Sequence, residues 1–297
     1  LTDNAAYVMQ FVGPPFTFSV RQVGSNCGCI GQHAMKYVNG IVYWMGESGG
    51  FFVYDGTVKS LPCLVEDFVF TTKNGNNLGI NYSAGESVYV GLNHLYEEIC
   101  WYYPQATSSF NDRYVCYNYQ DGTWVTGSLS RTTWVDANLY ENPYATEFNS
   151  TGLPTFPTVQ GITNINGSTK YFEHEKGVNE VDTSGNKTAI PAFIESGDFS
   201  LNPDGTSAEF FMSMSRFVPD FKTIQGNAQV TILLRDFPSD TEASSPLGPF
   251  TVTSTTAKVD TRARARFASL KIANTSTDEN WRFGTFRADV KLDGMRG

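Results

Sequence analysis

The sequence predicts an all-β chain, with propeller-like antiparallel blades followed by a β-sandwich-like C-terminal domain. Three observations carry this. The 297 residues include 22 Phe, 15 Tyr and 27 Gly, with only 17% charged, a balance that favours pleated strands over helices. Short aromatic and β-branched runs alternate with Gly-, Asn- and Asp-containing turns. A unit ending in Asp-Gly recurs at Asp55-Gly56 and Asp121-Gly122, 66 residues apart, with a fainter echo at Asp182. That spacing exceeds the roughly 40–50 residues of a propeller blade, and insertions at Pro104–Asn111 and Tyr140–Pro157 account for the excess.

The clearest element is Ile41–Gly56, IVYWMGESGGFFVYDG. Two apolar runs, Ile41–Trp44 and Phe51–Tyr54, flank a Gly-containing connection and predict a hairpin. Asp55-Gly56 predicts a second tight turn, since both residues tolerate positive φ. Continuous apolar runs imply a hairpin covered on both faces. Trp44, Phe52, Tyr54 and Trp124 are accordingly the expected blade core. Helical turns are expected only at Val65–Phe70 and Phe210–Phe217.

Around Ile190 the aromatic-turn-aromatic pattern stops. A β-rich run, AQVTILLRDFP, is followed by a Ser/Thr/Pro loop at Ser239–Pro249 and then by two alternating segments. In Asn280–Leu292, Trp281, Phe283 and Thr285 share one parity, and Arg282, Arg287 and Asp289 are read near the solvent side. The expected division is residues 1–189 for the blades, incomplete at the N-terminal end, and 190–297 for the antiparallel domain. The first twenty residues lack an initiating Met, a basic stretch and a long apolar stretch. This texture suits the interior of a longer protein rather than a signal peptide.

The formal net charge is −9. From Lys258 to Gly297 there are nine Lys and Arg against five Asp and Glu, a net of +4 that leaves −13 on the rest. An acidic body argues against a sequence-reading nucleic-acid binder, which needs a basic face. No run of 18 apolar residues offers a membrane helix. The five cysteines, at 27, 29, 63, 100 and 116, show no zinc-like spacing and are expected as reduced structural thiols. Cys27 and Cys29 are too close in sequence to bridge each other in a strand.

Catalytic constellations are scarce. There are three histidines, at 33, 94 and 174, and no nucleophile elbow, zinc-protease helix or Walker loop. The glycine-rich Gly24–Gly31 lacks the Lys of a phosphate cradle and reads as a turn into a strand. In Glu173-His174-Glu175, strand alternation sends His174 away from both carboxylates, so the triplet is expected as a solvated hairpin tip. Glu66-Asp67 and Glu97-Glu98 diverge as strand neighbours and make no glycosidase pair by themselves. The expectation is therefore no catalytic, cofactor or metal site, and no enzyme. The main polar feature is Arg262, Arg264 and Arg266, three guanidinium groups on one strand face opposite Ala263, Ala265 and Phe267. With Arg282 they are candidate inter-subunit contacts, against intramolecular pairing or a DNA-phosphate contact.

The stretch VNGIVYWMGESGGFFVYDGTVKSLPCLVEDFVF resembles the blade signature of the tail hub (nozzle, or stabilisation) proteins of short-tailed bacteriophages. The last forty residues resemble the same family's C-terminal segment, through the Arg-rich strand, Trp281-Arg282, Gly284 and Asp293-Gly294-Met295-Arg296. The resemblance implies a structural virion component, assembled in the host cytoplasm as a ring, a hexamer, below the portal and adaptor. Its implied partners are copies of itself, the adaptor and tail fibre or needle proteins, with genomic DNA in transient passage, and no membrane or cofactor. An acidic channel wall would let DNA slide without sticking. The competing class is a stand-alone propeller that binds glycans through Trp44, Trp101 and Trp124. A glycosidase on the same scaffold comes third.

Overall fold

The computed structural model describes residues 1–71, 79–137, 140–149, 168–201, 210–237, 240 and 246–295. Among the described residues strands make up 58% and helices 4%, in several antiparallel sheets, which establishes the all-β class. The chain forms two compact units, Leu1–Lys176 and Gly177–Gly297.

Unit 1 begins with a long ribbon, β1 (Ala5–Gly13) and β2 (Thr17–Ser25), paired only with each other. The first blade follows in sequential order: β3 (Met35–Val38), β4 (Ile41–Met45), β5 (Phe51–Tyr54) and β6 (Val58–Leu61). The expected hairpin is β4–β5, and the Asp55-Gly56 turn delivers β6, with Gly56 at φ 114°. A short helix, α1 (Glu66–Phe70), and a 3-10 turn at Tyr82–Ser87 lead to the second blade. It comprises β7 (Tyr89–Asn93), β8 (Glu98–Tyr103), β9 (Arg113–Asn118) and β10 (Trp124–Ser128), again in sequential order. Asp121-Gly122 turns β9 into β10 as Asp55-Gly56 turns β5 into β6, so the 66-residue repeat is a repeat of blades. A third sheet has three strands, β11 (Thr133–Val135), β12 (Tyr144–Asn149) and β13 (Ser168–Glu173).

Alternation along β4 and β5 covers the first blade on both faces. Tyr43, Met45 and Phe51 join Trp101, Ile99 and Val115 of the second blade in the main core. Trp44, with Phe52 and Tyr54, packs on the opposite face against Ala6, Cys27 and Val58 at the ribbon's base. The Trp44 indole N–H donates to the Cys27 carbonyl at 2.9 Å. Gly28 is required beside it, because a Cβ there would lie 1.7 Å from the Asp3 carbonyl oxygen. Trp124 belongs to the other cluster, 4.6 Å from Phe51 and 4.7 Å from Tyr117 between ring centroids.

The expectation of five free thiols is corrected. Cys27, Cys29 and Cys63 are free, but Cys100 and Cys116 form a disulfide. The two are directly opposed on β8 and β9, a cross-strand pairing that depends on register and leaves no trace in sequence spacing.

Unit 2 opens with a ribbon, β14 (Asn179–Val181) and β15 (Lys187–Ala189), followed by β16 (Ala192–Glu195). Next come β17 (Phe210–Gln225), β18 (Ala228–Arg235), β19 (Leu247–Val252), β20 (Val259–Ala265), β21 (Phe267–Asn274) and β22 (Asn280–Met295). Sheets of order β16-β21-β18-β19 and β20-β17-β22 face each other. Met212, Met214, Phe217 and Ala263 of one meet Val230, Ile232, Leu270 and Ile272 of the other. This is the expected sandwich.

Three expectations shift in this part of the chain. The units divide at Lys176/Gly177, thirteen residues before the expected boundary. The Asp182 turn thus belongs to the β14–β15 ribbon rather than to a third blade, and Asn179 and Lys187 tie that ribbon to Asp278. Phe210–Phe217 is strand, because its alternating Met212, Met214 and Phe217 are needed in the sandwich core. In β22, Trp281 and Phe283 pack inward as expected, but Phe286 replaces Thr285, which is exposed. The cause is a register slip opposite Asp220, where β22 carries one extra residue. The 161–167 part of the faint third repeat, and parts of the insertion at Tyr140–Pro157 and of the Ser239–Pro249 loop, lie outside the described residues.

Trp44 has no exposed surface, so Trp44→Ala should cost about 3–5 kcal/mol. Chemical denaturation checks this; an unchanged midpoint would remove Trp44 from the core.

Candidate functional site

The second blade has an apolar face toward the first blade and a polar one away from it. Val90, Leu92, Ile99, Trp101 and Val115 take the apolar face. The register pairs Gly91 with Cys100, Asn93 with Glu98 and Tyr102 with Tyr114, so these residues share the other face. Trp134 on β11 lies over Gly91, where a Cβ would come within 2.6 Å of the indole. The close approach leaves a cavity of about 200 Å³ lined by Asn93, Glu98, Tyr102, Trp134, His174 and Glu175, with the cystine in its wall.

The Glu173-His174-Glu175 triplet does not behave as a regular strand tip. β13 ends at Glu173, which turns outward to pair with Lys176 at 2.7 Å and accepts from Asn142. Glu175 then takes φ 58°, which breaks the alternation and brings both His174 and Glu175 to the cavity. The solvated tip is thereby corrected for His174, whereas Glu175 lines the cavity while staying exposed to solvent.

His174 is packed against Trp134, with ring centroids 4.6 Å apart, and its Nε2 accepts from Arg131 Nε at 2.8 Å. Arg131 is itself buried, with its guanidinium 4.1 Å from the centre of the Phe172 ring and 3.4 Å from Glu147. Burial, reinforced by the Arg131 charge, pushes His174 down to about 4, so the imidazole is neutral with its proton on Nδ1. Glu98 is held above the usual carboxylate range by burial and then by the Glu175 charge. Burial also raises Glu175, against hydrogen bonds from Asn93 (2.9 Å) and Tyr96. Glu98 and Glu175 thus share one cavity, each with its carboxyl raised by burial. Sequence reasoning considered Glu98 only beside Glu97. Its partner here, Glu175, lies 77 residues further on, and only the positive φ turns it inward.

The arginine row keeps its expected alternation, with Ala263 and Ala265 buried and Arg262 and Arg264 exposed. Arg264 pairs with Asp293, and its guanidinium lies 4.1 Å from the Phe211 ring centre. Arg266, just past β20, covers the same ring at 5.1 Å and Phe237 at 5.3 Å. Two more pairs, Arg216–Asp289 and Arg287–Asp220, cross the same outer face. Arg282 is exposed on β22. The tryptophans named for glycan contact are not available as a set. Trp44 and Trp101 have no exposed surface, and Trp124 is wedged against Phe51 and Tyr117 while donating to the Pro62 carbonyl.

The most conspicuous surface is the β1–β2 ribbon. Its register pairs Met9 with Val20 and Phe11 with Phe18, which gathers Tyr7, Met9, Phe11, Phe18 and Val20 on one face. These residues are 45%, 66%, 66%, 52% and 62% exposed, and Phe16 at the tip is 80% exposed. The opposite face carries Gln10, Ser19 and Arg21 together with Val8 and Val12. An apolar face of this extent, left uncovered, marks an interaction surface.

No known protein family matches the chain, and no curated protein does. Among solved structures it is similar to an exo-β-1,3-galactanase from Phanerochaete chrysosporium with β-1,3-galactotriose. One such structure has a TM-score of 0.28 and 8% identity over 97% of this chain and 99% of that one. Another has 0.24 and 9%, over 87% and 66%. These neighbours are glycoside hydrolases, so the expectation that the chain is no enzyme is withdrawn. At such TM-scores the likeness carries no activity over to this chain.

His174 generates a signed pH effect. A base whose folded pKa is lowered contributes its full stability above the unfolded value of 6.5 and loses it as pH falls toward about 4. Subtracting the stability–pH profile of His174→Gln from that of the parent should expose a fall of about 2–3 kcal/mol across that window. Glu98 and Glu175 contribute with the opposite sign and cancel in the difference. Parallel profiles would place His174 in water.

Proposed function

We propose that this chain is a structural subunit of a ring-shaped tail hub of a short-tailed bacteriophage, extending the DNA channel below the portal and adaptor. The observation that carries this reading is the uncovered apolar face of the β1–β2 ribbon. A two-stranded ribbon is marginal in water by itself; one with five large apolar side chains on a single face is suited to a partner. The blade signature and the Arg-rich C-terminal segment support the same reading, and six copies around the channel follow from it. The net charge of −9 suits a wall past which DNA moves without counterion release. Sedimentation of a lysate of the source on a density gradient tests the proposal: the chain should co-migrate with DNA-filled particles. Recovery only among free soluble proteins would overturn it.

A second reading rests on Glu98 and Glu175, two carboxyl groups at one cavity beside Trp134 and Tyr102. Such a pair is the equipment of glycoside hydrolysis, in which one carboxyl serves as general acid. Incubation with a panel of oligosaccharides should then release sugar, with the rate falling by about 10²-fold or more in Glu98→Gln. Absence of turnover across the panel would dispose of this reading.

A further inference from the structure

The wall of the second-blade cavity brings together a set of atoms suited to a metal ion. Glu98 and Cys100 are two residues apart on β8 and share a face. Cys116 on β9 stands directly opposite Cys100. A carboxylate oxygen of Glu98 and the two sulfurs all lie within 4.8 Å of one another. The sulfurs form the cystine, whose residues are both buried and line the cavity. Glu98 is half-buried, and among the described residues its carboxylate has neither a hydrogen-bond donor nor a cation beside it. A sequestered carboxylate without a partner marks a place where a cation belongs. Glu175 adds a second carboxylate to the same cavity, a field that favours positive charge further.

We infer that reduction of the Cys100–Cys116 disulfide turns this wall into a zinc site, with Cys100, Cys116 and Glu98 as its protein ligands. A dithiol reductant gives one hydrogen to each sulfur and ends as its own disulfide, so the S–S bond breaks and two thiols form. Zinc(II) then displaces both thiol protons to solvent, and the thiolates bond it beside the Glu98 carboxylate. Thiolate sulfur and carboxylate oxygen are ordinary zinc ligands, at about 2.3 Å and about 2.0–2.2 Å. A tetrahedral ion holds two such sulfurs about 3.8 Å apart, which opposed residues with Cα atoms 4.0 Å apart reach by side-chain rotation alone. The fourth position faces the cavity and is left to water. His174 is not a ligand, because its Nε2 accepts from Arg131 and its Nδ1 carries the proton. The ligands meet through strand register, which is why no zinc-like spacing appears in the sequence. The site requires neither a ring nor sugar hydrolysis.

Metal titration of the full chain in both redox states tests it. One portion stays oxidised; the other is reduced with excess dithiol, which anaerobic gel filtration then removes. Each is titrated with zinc(II) and with cobalt(II). Cys27, Cys29 and Cys63 are free thiols in either state, so the difference between the portions reports the Cys100–Cys116 pair. The reduced chain should bind one more ion per molecule than the oxidised chain, with thiolate-to-cobalt charge-transfer absorption. Zinc should raise the melting temperature of the reduced chain more than that of the oxidised one. Cys100→Ala/Cys116→Ala should abolish the extra ion. Glu98→Gln, which keeps both sulfurs and the shape of the side chain, should weaken its binding by roughly a hundredfold or more. Equal uptake in the two states would overturn the site and leave the cystine a staple between β8 and β9. An extra ion that survives loss of both sulfurs, or an affinity unchanged in Glu98→Gln, would overturn the ligand set. A reduced chain that unfolds and that zinc does not restore would overturn the inference as well.

Discussion

The carboxylate of Asp136 joins three of the four sheets of unit 1. One oxygen accepts the Leu92 backbone N–H at 3.0 Å, and the other pairs with Lys36. Leu92 is on β7, Lys36 on β3, and Asp136 directly follows β11, so a single side chain connects the first strands of all three sheets. The Lys36 and Asp136 side chains are only 21% and 13% exposed, and a nearly buried charge that loses its partner is costly. The Val90 N–H, which donates to the His33 carbonyl at 2.9 Å, adds a neutral link along the same line. With the inner strands held, the seam between the blades fills with aromatic rings. Phe51 meets Trp101 at 5.0 Å, and the Trp101 indole donates to the Ala34 carbonyl.

The parts of the fold legible in the sequence are those that local chemistry dictates. Asp-Gly turns at 55–56 and 121–122, apolar runs covered on both faces, and alternation in β20 all depend on neighbours within a few residues. What stayed hidden depends on register or on a single dihedral angle. Cys100 and Cys116 meet because β8 and β9 align them. Thr285 gives way to Phe286 because β22 carries one extra residue opposite Asp220. Glu175 reaches the cavity through a positive φ that a glutamate rarely adopts. The candidate site was the least legible part, since its residues come from four separate stretches between Gly91 and Glu175. The ribbon's alternation was present in AAYVMQFVG and TFSVRQVGS, but only the pairing shows that both strands turn their apolar residues to the same side.

Rigid and available surfaces are separated in this chain. The blades hide their tryptophans, so aromatic richness that suggests sugar stacking serves packing instead. The ribbon, with its exposed apolar face, leaves the blade at Ala5 and Ala6, both buried. The root of the ribbon is thus fixed by the same cluster that holds Trp44.

The outer face of the β20-β17-β22 sheet has a consequence for polyanions. Its cations stand beside carboxylates of the same sheet: Arg264 by Asp293, Arg216 by Asp289, Arg287 by Asp220. The +4 of the last forty residues is therefore spread over a chequerboard instead of a patch. A phosphate backbone passing over it meets charges of both signs at intervals shorter than the Debye length. The three pairs offset one another's fields locally, so the face holds a polyanion less than its arginine count suggests.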